Sequence, residues 1–342
     1  MLSTEYLQRV GVFDWLTMAD TFQITDILIG NGFSINLWNN LNYTSLCNIF
    51  CDSASPEVTE LFQEFKTTNF EQILDALNNA KMVSKVLKFE VRQIPKLIEE
   101  IKKGLIKTIQ ATHPEAKDIR DPILRSLAKE LELFRDIYTT NYDVFLYKII
   151  LANNNLNQMG IENMGDFGDG FYEEVSAGKL GFQDFDIKDR NLVYLHGSLF
   201  IFNHNGTTFK IRKIDGKVEY IKLIQFELDF DNFPLYVAEG TAENKYMAIN
   251  DNYYLRLALN RLKNRNGDLI TYGFSFGKSD KHIIDAINVS NANNIVASIY
   301  PDRTELELTK EISRINSLFP NKSVQFYDSR TLFKFDSPKY VY

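Results

Sequence analysis

Short apolar runs alternate with longer segments of mixed polarity along most of the chain. Runs such as DLITY and NIVASI have the length of buried strands, and the segments between such runs carry apolar residues at helical spacing. This pattern predicts strands at 26–29, 135–139, 192–195, 235–238, 268–272, 294–299 and 323–327, and helices at 5–19, 142–152, 243–263, 278–289 and 304–317. Such alternation is typical of parallel sheets, so we expect an α/β fold with a doubly wound, mostly parallel, Rossmann-like sheet.

Residues 42–134 have a different pattern, with long stretches at helical period and no convincing strand; residues 96–111, for example, carry one apolar stripe. We expect a helical insertion at 42–134, within one nucleotide-binding domain made of 1–41 and 135–342. This block is predicted to cover the mouth of the site described below or to form a subunit contact, and packing of its stripe on the sheet is the alternative. Residues 153–190, rich in Asn, Gly and Asp, are predicted to form a long irregular connection.

Four polar or glycine-rich segments each follow directly after a predicted strand. They are GNGFS at 30–34, TTNYD at 139–143, LHG at 195–197 and GFSFGKSD at 273–280. In open parallel sheets, ligands bind outside the carboxyl ends of the strands, so four such ends describe one composite site. We predict that this site binds a nucleotide and that Asn141 and His196 face it.

The first segment offers groups that suit a phosphate. Gly30 and Gly32 let the backbone approach a ligand closely, and the amides around Asn31 together with the hydroxyl of Ser34 could hold a pyrophosphate. A tight strand exit would explain the same glycines.

The second segment offers groups that suit a sugar. Thr139, Thr140 and Asn141 could hydrogen-bond a ribose or a carboxamide, and Asp143 could position either of them. The alternative is that Asn141 or Asp143 caps the helix that follows.

The third and fourth segments add a proton acceptor and further polar contacts. Histidine exchanges protons near neutral pH, so His196 is a candidate general base, with a buried structural histidine as the alternative. Gly273 and Ser275 could contact phosphate or ribose, whereas Asp280 is expected to cap the next helix.

Composition narrows the choice of partners. With 45 acidic and 38 basic residues the net charge is −7, which argues against a nucleic-acid polymer as main partner, because such binders need a concentrated basic face. The chain lacks a signal-peptide pattern and any apolar run of transmembrane length, so we expect a cytoplasmic protein without membrane contact. Cys47 and Cys51, with only four histidines in the chain, are expected to be core residues, and no metal is expected.

Together, the four segments resemble the sirtuin family. Sirtuins have a Gly-Ala-Gly-hydrophobic-Ser turn, then Thr-Gln-Asn-Ile-Asp, Leu-His-Gly and Gly-Thr-Ser, in this order and at strand ends. The resemblance covers residues 24–34 and 134–300. Within the family, the chain looks most similar to bacterial sirtuin-like, NAD-hydrolysing anti-phage effectors.

The resemblance implies a role for each matching residue. It assigns the NAD pyrophosphate to Gly30, Gly32 and Ser34, and the adenosine side to Gly273 and Ser275. It places Asn141 and Asp143 at the nicotinamide ribose, with His196 as the base.

Two departures from the sirtuin pattern bear on the activity. The four-cysteine zinc site is absent, and the stretch after the first segment reads INLWNN in place of the family sequence Gly-Ile-Pro-Asp-Phe-Arg. Both losses weaken a protein deacylase more than an NAD hydrolase. The resemblance therefore implies an NAD⁺ glycohydrolase that releases nicotinamide and ADP-ribose, uses NAD as substrate and needs no metal.

The same resemblance implies a role in anti-phage defence by NAD⁺ depletion, with a homo-oligomer, a partner ATPase or another defence protein as the trigger. Two alternatives stay open. One is a catalytically silent sensor or scaffold that binds NAD or ADP-ribose, and the other, less favoured, is an NAD-dependent deacylase.

Overall fold

The computed structural model describes residues 2–22, 24–90, 92–113, 121–158, 166–212, 220–230, 232, 234–237 and 241–333. Within these ranges, no helix is both long enough and apolar enough to cross a membrane.

The strands form two sheets. Their bounds are β1 Val12–Phe13, β2 Ile24–Ile29, β3 Asp136–Thr139, β4 Phe167–Gly168, β5 Phe171–Ser176, β6 Lys179–Phe182, β7 Arg190–Tyr194, β8 Gly197–His204, β9 Thr207–Ile211, β10 Pro234–Tyr236, β11 Asp268–Tyr272, β12 Asn294–Ile299 and β13 Ser323–Asp328.

The central sheet has eight strands in the order β1-β13-β12-β11-β2-β3-β7-β4, and every neighbouring pair is parallel. The expected α/β fold with a mostly parallel sheet is therefore confirmed. Strands β3, β7 and β11 are buried along their whole length, as expected for parallel strands covered on both faces.

Helices occupy most of the remaining described chain. Their bounds are α1 Thr4–Arg9, α2 Trp15–Ala19, α3 Asn31–Leu37, α4 Tyr43–Cys51, α5 Pro56–Glu64, α6 Phe70–Leu87, α7 Gln93–Thr112, α8 Asp121–Leu131, α9 Phe145–Gln158, α10 Tyr220–Asp229, α11 Ala242–Asp251, α12 Tyr253–Lys263, α13 Lys281–Val289 and α14 Glu305–Leu318, with short 3₁₀ turns at Asn39–Leu41 and Lys278–Asp280.

Two predicted helices are each interrupted. The leading helix expected at 5–19 is wrong: Gly11 adopts a φ of 84°, and the chain then runs as β1 beside β13 before α2 begins. The helix expected at 243–263 is two helices, because Asn252 adopts an extended backbone between α11 and α12. The side chain of Asn252 caps α12 by accepting a hydrogen bond from the amide of Leu255 at 3.0 Å.

A second, antiparallel sheet corrects two further predictions. Its strands have the order β10-β8-β9-β6-β5. The segment 153–190, expected to be irregular, continues helix α9 and then supplies β4, β5 and β6, while residues 159–165 lie outside the described ranges. The strand expected at 235–238 pairs antiparallel with β8 and so belongs to this second sheet; residue 238 of that prediction is not described.

Between 42 and 134, the described residues form helices α4 to α8 and no strand. The block has an aromatic centre, where the rings of Phe50, Phe62 and Phe70 lie 5.2–6.0 Å apart between centroids. Cys47 is buried beside this centre, and burial, followed by the neighbouring Cys51, raises the pKa of its thiol to about 12. The thiol is therefore a core group and not a nucleophile at neutral pH.

Candidate functional site

A cavity of about 270 Å³ lies at the carboxyl edge of the central sheet. The sheet side of its wall is formed by Asn31, Gly32, Thr140, Asn141, Tyr142, Asp143, His196, Gly273, Phe274 and Ser275. The helical block closes the other side with apolar side chains: Leu46, Phe70, Leu105 and Ile109. The four strand-end segments thus meet at one cavity, and the helical block covers it.

Eight of the eleven predicted site residues line this cavity, namely Asn31, Gly32, Thr140, Asn141, Asp143, His196, Gly273 and Ser275. The other three, Gly30, Ser34 and Thr139, stand behind the wall and shape it. The Thr139 hydroxyl donates to the carbonyl of Ile29 at 3.0 Å and accepts from the amide of Asn141 at 3.0 Å. Thr139 therefore fixes the turn that presents Asn141, and it contributes no group to the cavity surface.

Ser34 links the two polar side chains of the second segment. Its hydroxyl donates to Asp143 Oδ2 at 2.5 Å and accepts from Asn141 Nδ2 at 2.9 Å. The Asn141 side chain is thereby held through its nitrogen. Its oxygen, Oδ1, is buried and has no hydrogen-bond partner in the part of the chain that the structure describes.

Asp143 has both a capping and a bridging role. Its Oδ1 accepts from the amide of Phe145 at 2.8 Å at the start of α9, while Oδ2 accepts from Ser34. Burial raises the pKa of Asp143 above its usual value, although the hydrogen bonds from Ser34 and Phe145 act in the opposite direction. Helix capping thus applies to Asp143 and not to Asn141, whose side chain points to Ser34.

Three glycines bring the first and fourth segments into direct backbone contact. A Cβ on Gly30 would lie 2.5 Å from the carbonyl oxygen of Gly273, and a Cβ on Gly32 would lie 2.7 Å from Gly273 Cα. Gly273 itself has a φ of +62°, a conformation that side-chain-bearing residues rarely adopt. The close approach of two loops therefore accounts for these glycines without a ligand.

Backbone hydrogen bonds also engage three of the amides in the segment that was expected to bind a pyrophosphate. The amide of Gly30 donates to the carbonyl of Tyr272 at 2.9 Å, that of Gly32 to Gly273 at 3.0 Å, and that of Phe33 to Gly30 at 3.1 Å. A phosphate at this edge would depend on neighbouring groups such as the Asn31 and Ser275 side chains, both of which line the cavity.

His196 lies where β7 ends and β8 begins, and only 2% of its surface is exposed. Its ring stacks on Tyr142, and its Nε2 lies 2.9 Å from Nε2 of His282. Burial, followed by the charge of Lys245, lowers the pKa of His196 well below 6.5. The same two causes lower the pKa of His282 to about 3. Both imidazoles are therefore neutral at pH 7.

Asp280 corrects a prediction made from its position. It stands at the N-cap of α13, but its side chain makes no capping hydrogen bond. Its Oδ1 instead pairs with the ammonium group of Lys245 at 3.2 Å, and Lys245 is 1% exposed. Lys245 and Asp280 both line the cavity beside His196, so a buried ion pair forms one end of it.

A metal ion has one candidate position among the described residues. His196, Asp280 and His282 offer ligand atoms within 4.8 Å of one another. The carboxylate already pairs with the Lys245 cation, and the two Nε2 atoms form a hydrogen bond with each other. Those contacts give each group a partner other than a metal, so we assign none.

Lys245 and His282 were missed by the sequence argument. His282 follows the fourth segment by two residues and could have been found by extending that segment into α13. Lys245 gives no local signal, because a lysine on a helix ordinarily faces solvent. The sequence predicted that the helical block could cover the site, but it did not predict which apolar side chains of the block line the cavity.

Comparisons with known proteins give one family and a distant likeness to solved structures. A family model described as "Domain of unknown function (DUF4917)" matches residues 27–333. No curated protein matches the chain. The chain is similar to a solved structure described as "Structural Basis for the Mechanism and Regulation of Sir2 Enzymes", with 9% sequence identity, a TM-score of 0.36, and coverage of 97% of this chain and 95% of that one. A likeness at this TM-score carries no argument about activity.

Proposed function

The chain belongs to the DUF4917 family, a domain of unknown function, and from the geometry of its cavity we propose that it is an NAD⁺ glycohydrolase. The proposed reaction breaks the bond between the nicotinamide nitrogen and C1′ of the ribose, and water adds at C1′. Nicotinamide leaves with the electron pair of the broken bond. One proton of the water passes to His196, and the other stays on the new hydroxyl of ADP-ribose.

One observation carries this proposal: the unpartnered Oδ1 of Asn141 belongs to a side chain that lines the same cavity as a neutral histidine. A buried acceptor without a partner costs about 1–3 kcal/mol, so such groups call for an explanation. A ribose hydroxyl or the attacking water would supply the missing donor. Because Ser34 holds the nitrogen of Asn141, the oxygen is fixed in place before a ligand arrives.

The neutral state of His196 supports the role of proton acceptor. A protonated imidazole has no lone pair to offer, whereas burial and Lys245 keep His196 unprotonated at pH 7. General-base assistance of this kind is worth roughly 10²–10⁴ in rate. The low pKa also makes His196 a weak base. It would therefore accept a proton mainly late in the reaction, when positive charge has developed on the ribose and the attacking water has become more acidic.

The shape of the cavity fits one half of the proposed substrate. Sites for drug-sized ligands measure roughly 300–1,000 Å³, and this cavity, at about 270 Å³, is slightly smaller than that. A nicotinamide with its ribose is of suitable size, whereas the whole dinucleotide would extend past Asn31 and Ser275. The apolar wall from the helical block would limit the water that reaches the reacting carbon.

A catalytically silent NAD or ADP-ribose sensor is the second candidate. His196 Nε2 already hydrogen-bonds His282, so only Nδ1 is left to accept a proton from a substrate. A protein that only binds the nucleotide would be compatible with that arrangement. NAD⁺ depletion as anti-phage defence, with a trigger from self-association or from a partner ATPase, is proposed from the resemblance of the four segments only.

Incubation of the purified chain with NAD⁺ tests the proposal, with nicotinamide and ADP-ribose measured by liquid chromatography. We expect both products in equal amounts, and His196→Ala as the matched negative control. A parallel reaction with an acetylated peptide reports deacylation through loss of the acetyl group. NAD⁺ that raises the melting temperature but is not cleaved would favour the sensor, and NAD⁺ that has neither effect would contradict both functions.

A further inference from the structure

Four ionisable side chains form a continuous buried chain at one end of the cavity. Nε2 of His196 and Nε2 of His282 are 2.9 Å apart, and Asp280 Oδ1 lies 4.0 Å from His196 Nε2. The Lys245 ammonium group lies 3.2 Å from the same Asp280 oxygen. Helix α11 supplies Lys245, and α13 with the 3₁₀ turn before it supplies His282 and Asp280.

The contact between the two imidazoles restricts where protons can sit. A neutral imidazole carries a hydrogen on one nitrogen and a lone pair on the other. A hydrogen bond between two Nε2 atoms therefore requires one ring with its hydrogen on Nε2 and one ring with its hydrogen on Nδ1. The two histidines therefore hold opposite tautomers, so the tautomer of one sets that of the other, and the His196 ring cannot rotate without breaking the bond.

Two opposite charges stand beside this pair. Lys245 is 1% exposed and Asp280 keeps 16% of its side chain accessible, so the ammonium group is the more deeply buried of the two. Repulsion from the ammonium opposes any proton added to either imidazole, while Asp280 offsets part of that repulsion. Tyr142 is a further titratable residue on this side, and its ring stacks on that of His196.

We propose that His282 and Lys245 are positioning residues for His196: His282 fixes the orientation of the ring and sets its tautomer opposite to its own, and the Lys245 ammonium, paired with Asp280 beside the ring, places a positive charge that opposes a proton on His196. Neither residue needs to touch the substrate for this role. The proposal rests on the proposed function only in taking His196 as the reacting base. The state of the His196 ring can be measured without any substrate.

Nitrogen-15 NMR of the imidazole side chains provides that measurement on the full chain. The chain has four histidines, and single His→Gln variants assign their signals. His204 lies exposed on the β8–β9 hairpin, far from this chain of contacts in the fold, and serves as an internal reference. Tautomers are distinguished by the shifts of the two ring nitrogens.

Three variants test the two roles. In His282→Gln, the His196 nitrogens should shift toward the averaged values of a ring that exchanges between tautomers. In Lys245→Met, the protonated fraction of His196 at about pH 6 should rise by about tenfold or more, which corresponds to one pKa unit. Lys245→Arg retains the charge and should leave His196 unprotonated at that pH. Lys310→Met, on the exposed face of α14, is the matched control and should change neither ring.

Opposite results would overturn the proposal. Unchanged His196 nitrogen shifts in His282→Gln would remove the tautomer role, and equal protonation in the wild type and Lys245→Met would remove the charge role. If Lys245→Met does not fold, Lys245→Gln, which is of similar length, replaces it. This outcome is separate from that of the NAD⁺ assay. If the wild-type chain cleaves NAD⁺ but the variants leave the His196 ring unchanged, the positioning roles are rejected. If the variants change the His196 ring but the wild-type chain does not cleave NAD⁺, the proposed activity is rejected.

Discussion

The two ends of the central sheet both hold polar side chains and ion pairs beside a cavity, but the carboxyl end adds a buried asparagine and a buried histidine to its cavity wall. At the amino end, Asp26 and Arg265 form an ion pair at 3.0 Å with both side chains at 0% exposure. Asp136 is paired with Arg261 at 3.0 Å in the same region. At the carboxyl end, one ion pair, Lys245 with Asp280, lies beside an amide oxygen without a described partner and two neutral histidines.

Cavity size does not separate the two ends. The amino-end cavity, of about 610 Å³, is the larger one, and its lining includes Asp136, Arg261 and Arg265. Its charged side chains pair with one another, so their presence is explained by their contribution to the stability of the sheet. The smaller carboxyl-end cavity contains the polar groups whose arrangement stability does not explain. The candidate site is therefore recognised by an unpartnered polar oxygen, that of Asn141, in the wall of a cavity, and not by the volume of that cavity.

Replacement of His196 should have the largest effect on the carboxyl end. In His196→Ala, the rate of NAD⁺ cleavage should fall by roughly 10²–10⁴, because general-base assistance is lost. Steady-state nicotinamide release measures this rate, and circular dichroism confirms that the variant is folded. His204→Ala, at an exposed histidine, is the matched control and should keep full activity. Full turnover by a folded His196→Ala protein would remove His196 from the mechanism.

Replacement of Asp26 should have the largest effect on the amino end. Asp26→Ala leaves Arg265 buried without this partner, so the free energy of unfolding should fall by about 3–5 kcal/mol. Urea titration followed by fluorescence measures this change. The double variant Asp26→Leu with Arg265→Met removes both charges and should recover much of the loss. Asp302→Ala, at an exposed residue, is the control. If the free energy of unfolding of Asp26→Ala fell by less than about 1 kcal/mol, the ion pair would not stabilise the sheet.

The pH dependence of stability should reveal the neutral histidines of the carboxyl end. The pKa values of His196 and His282 are lowered in the folded chain, that of His282 to about 3, so below about pH 6.5 the unfolded chain binds protons that the folded chain does not. The stabilisation is complete above that pH and is lost as the pH falls, by about 1.4 kcal/mol per pH unit for each histidine.

Urea titrations between about pH 7.5 and pH 5 measure this slope, and His282→Gln should remove one histidine's share of it. Asp26 and Asp143, whose pKa values are raised in the folded chain, contribute a slope of opposite sign, so each variant is compared with the wild type. An unchanged slope in His282→Gln would mean that His282 is protonated to the same extent in the folded and unfolded chain, and its neutral state would then be wrong.

Replacement of Asn141 should have the smallest of these effects. Asn141→Ala should lower kcat by about tenfold with little change in KM, because the amide oxygen is expected to act mainly as the glycosidic bond breaks. Nicotinamide release over a range of NAD⁺ concentrations separates the two constants, and Asn316→Ala on the exposed face of α14 is the control. A raised KM with unchanged kcat would make Asn141 a contact residue only.

The sequence predicted the parallel sheet because its strands are continuous apolar runs, such as those at β11 and β12. It missed the antiparallel sheet, since segments such as FYEEVS and KLGF are short, half-exposed and joined by tight turns. The strand-end segments predicted the carboxyl-end cavity because parallel strands bring their carboxyl ends to one edge. No local pattern could predict Lys245, because its burial depends on how α11 packs against α13.

The helical block has a consequence for how this fold could vary. β2 and β3 are parallel neighbours, so the chain must cross from the carboxyl end of one to the amino end of the other. Residues 30–41 alone come to about a dozen residues, near the minimum for such a crossover. The block is therefore inserted into a connection that would be complete without it. Helix α8 packs against α9, so it also supports the fold. The length and sequence of the other helices of the block could change, in evolution or by design, while the register of the sheet stays the same, and the largest effect would fall on the apolar wall of the cavity.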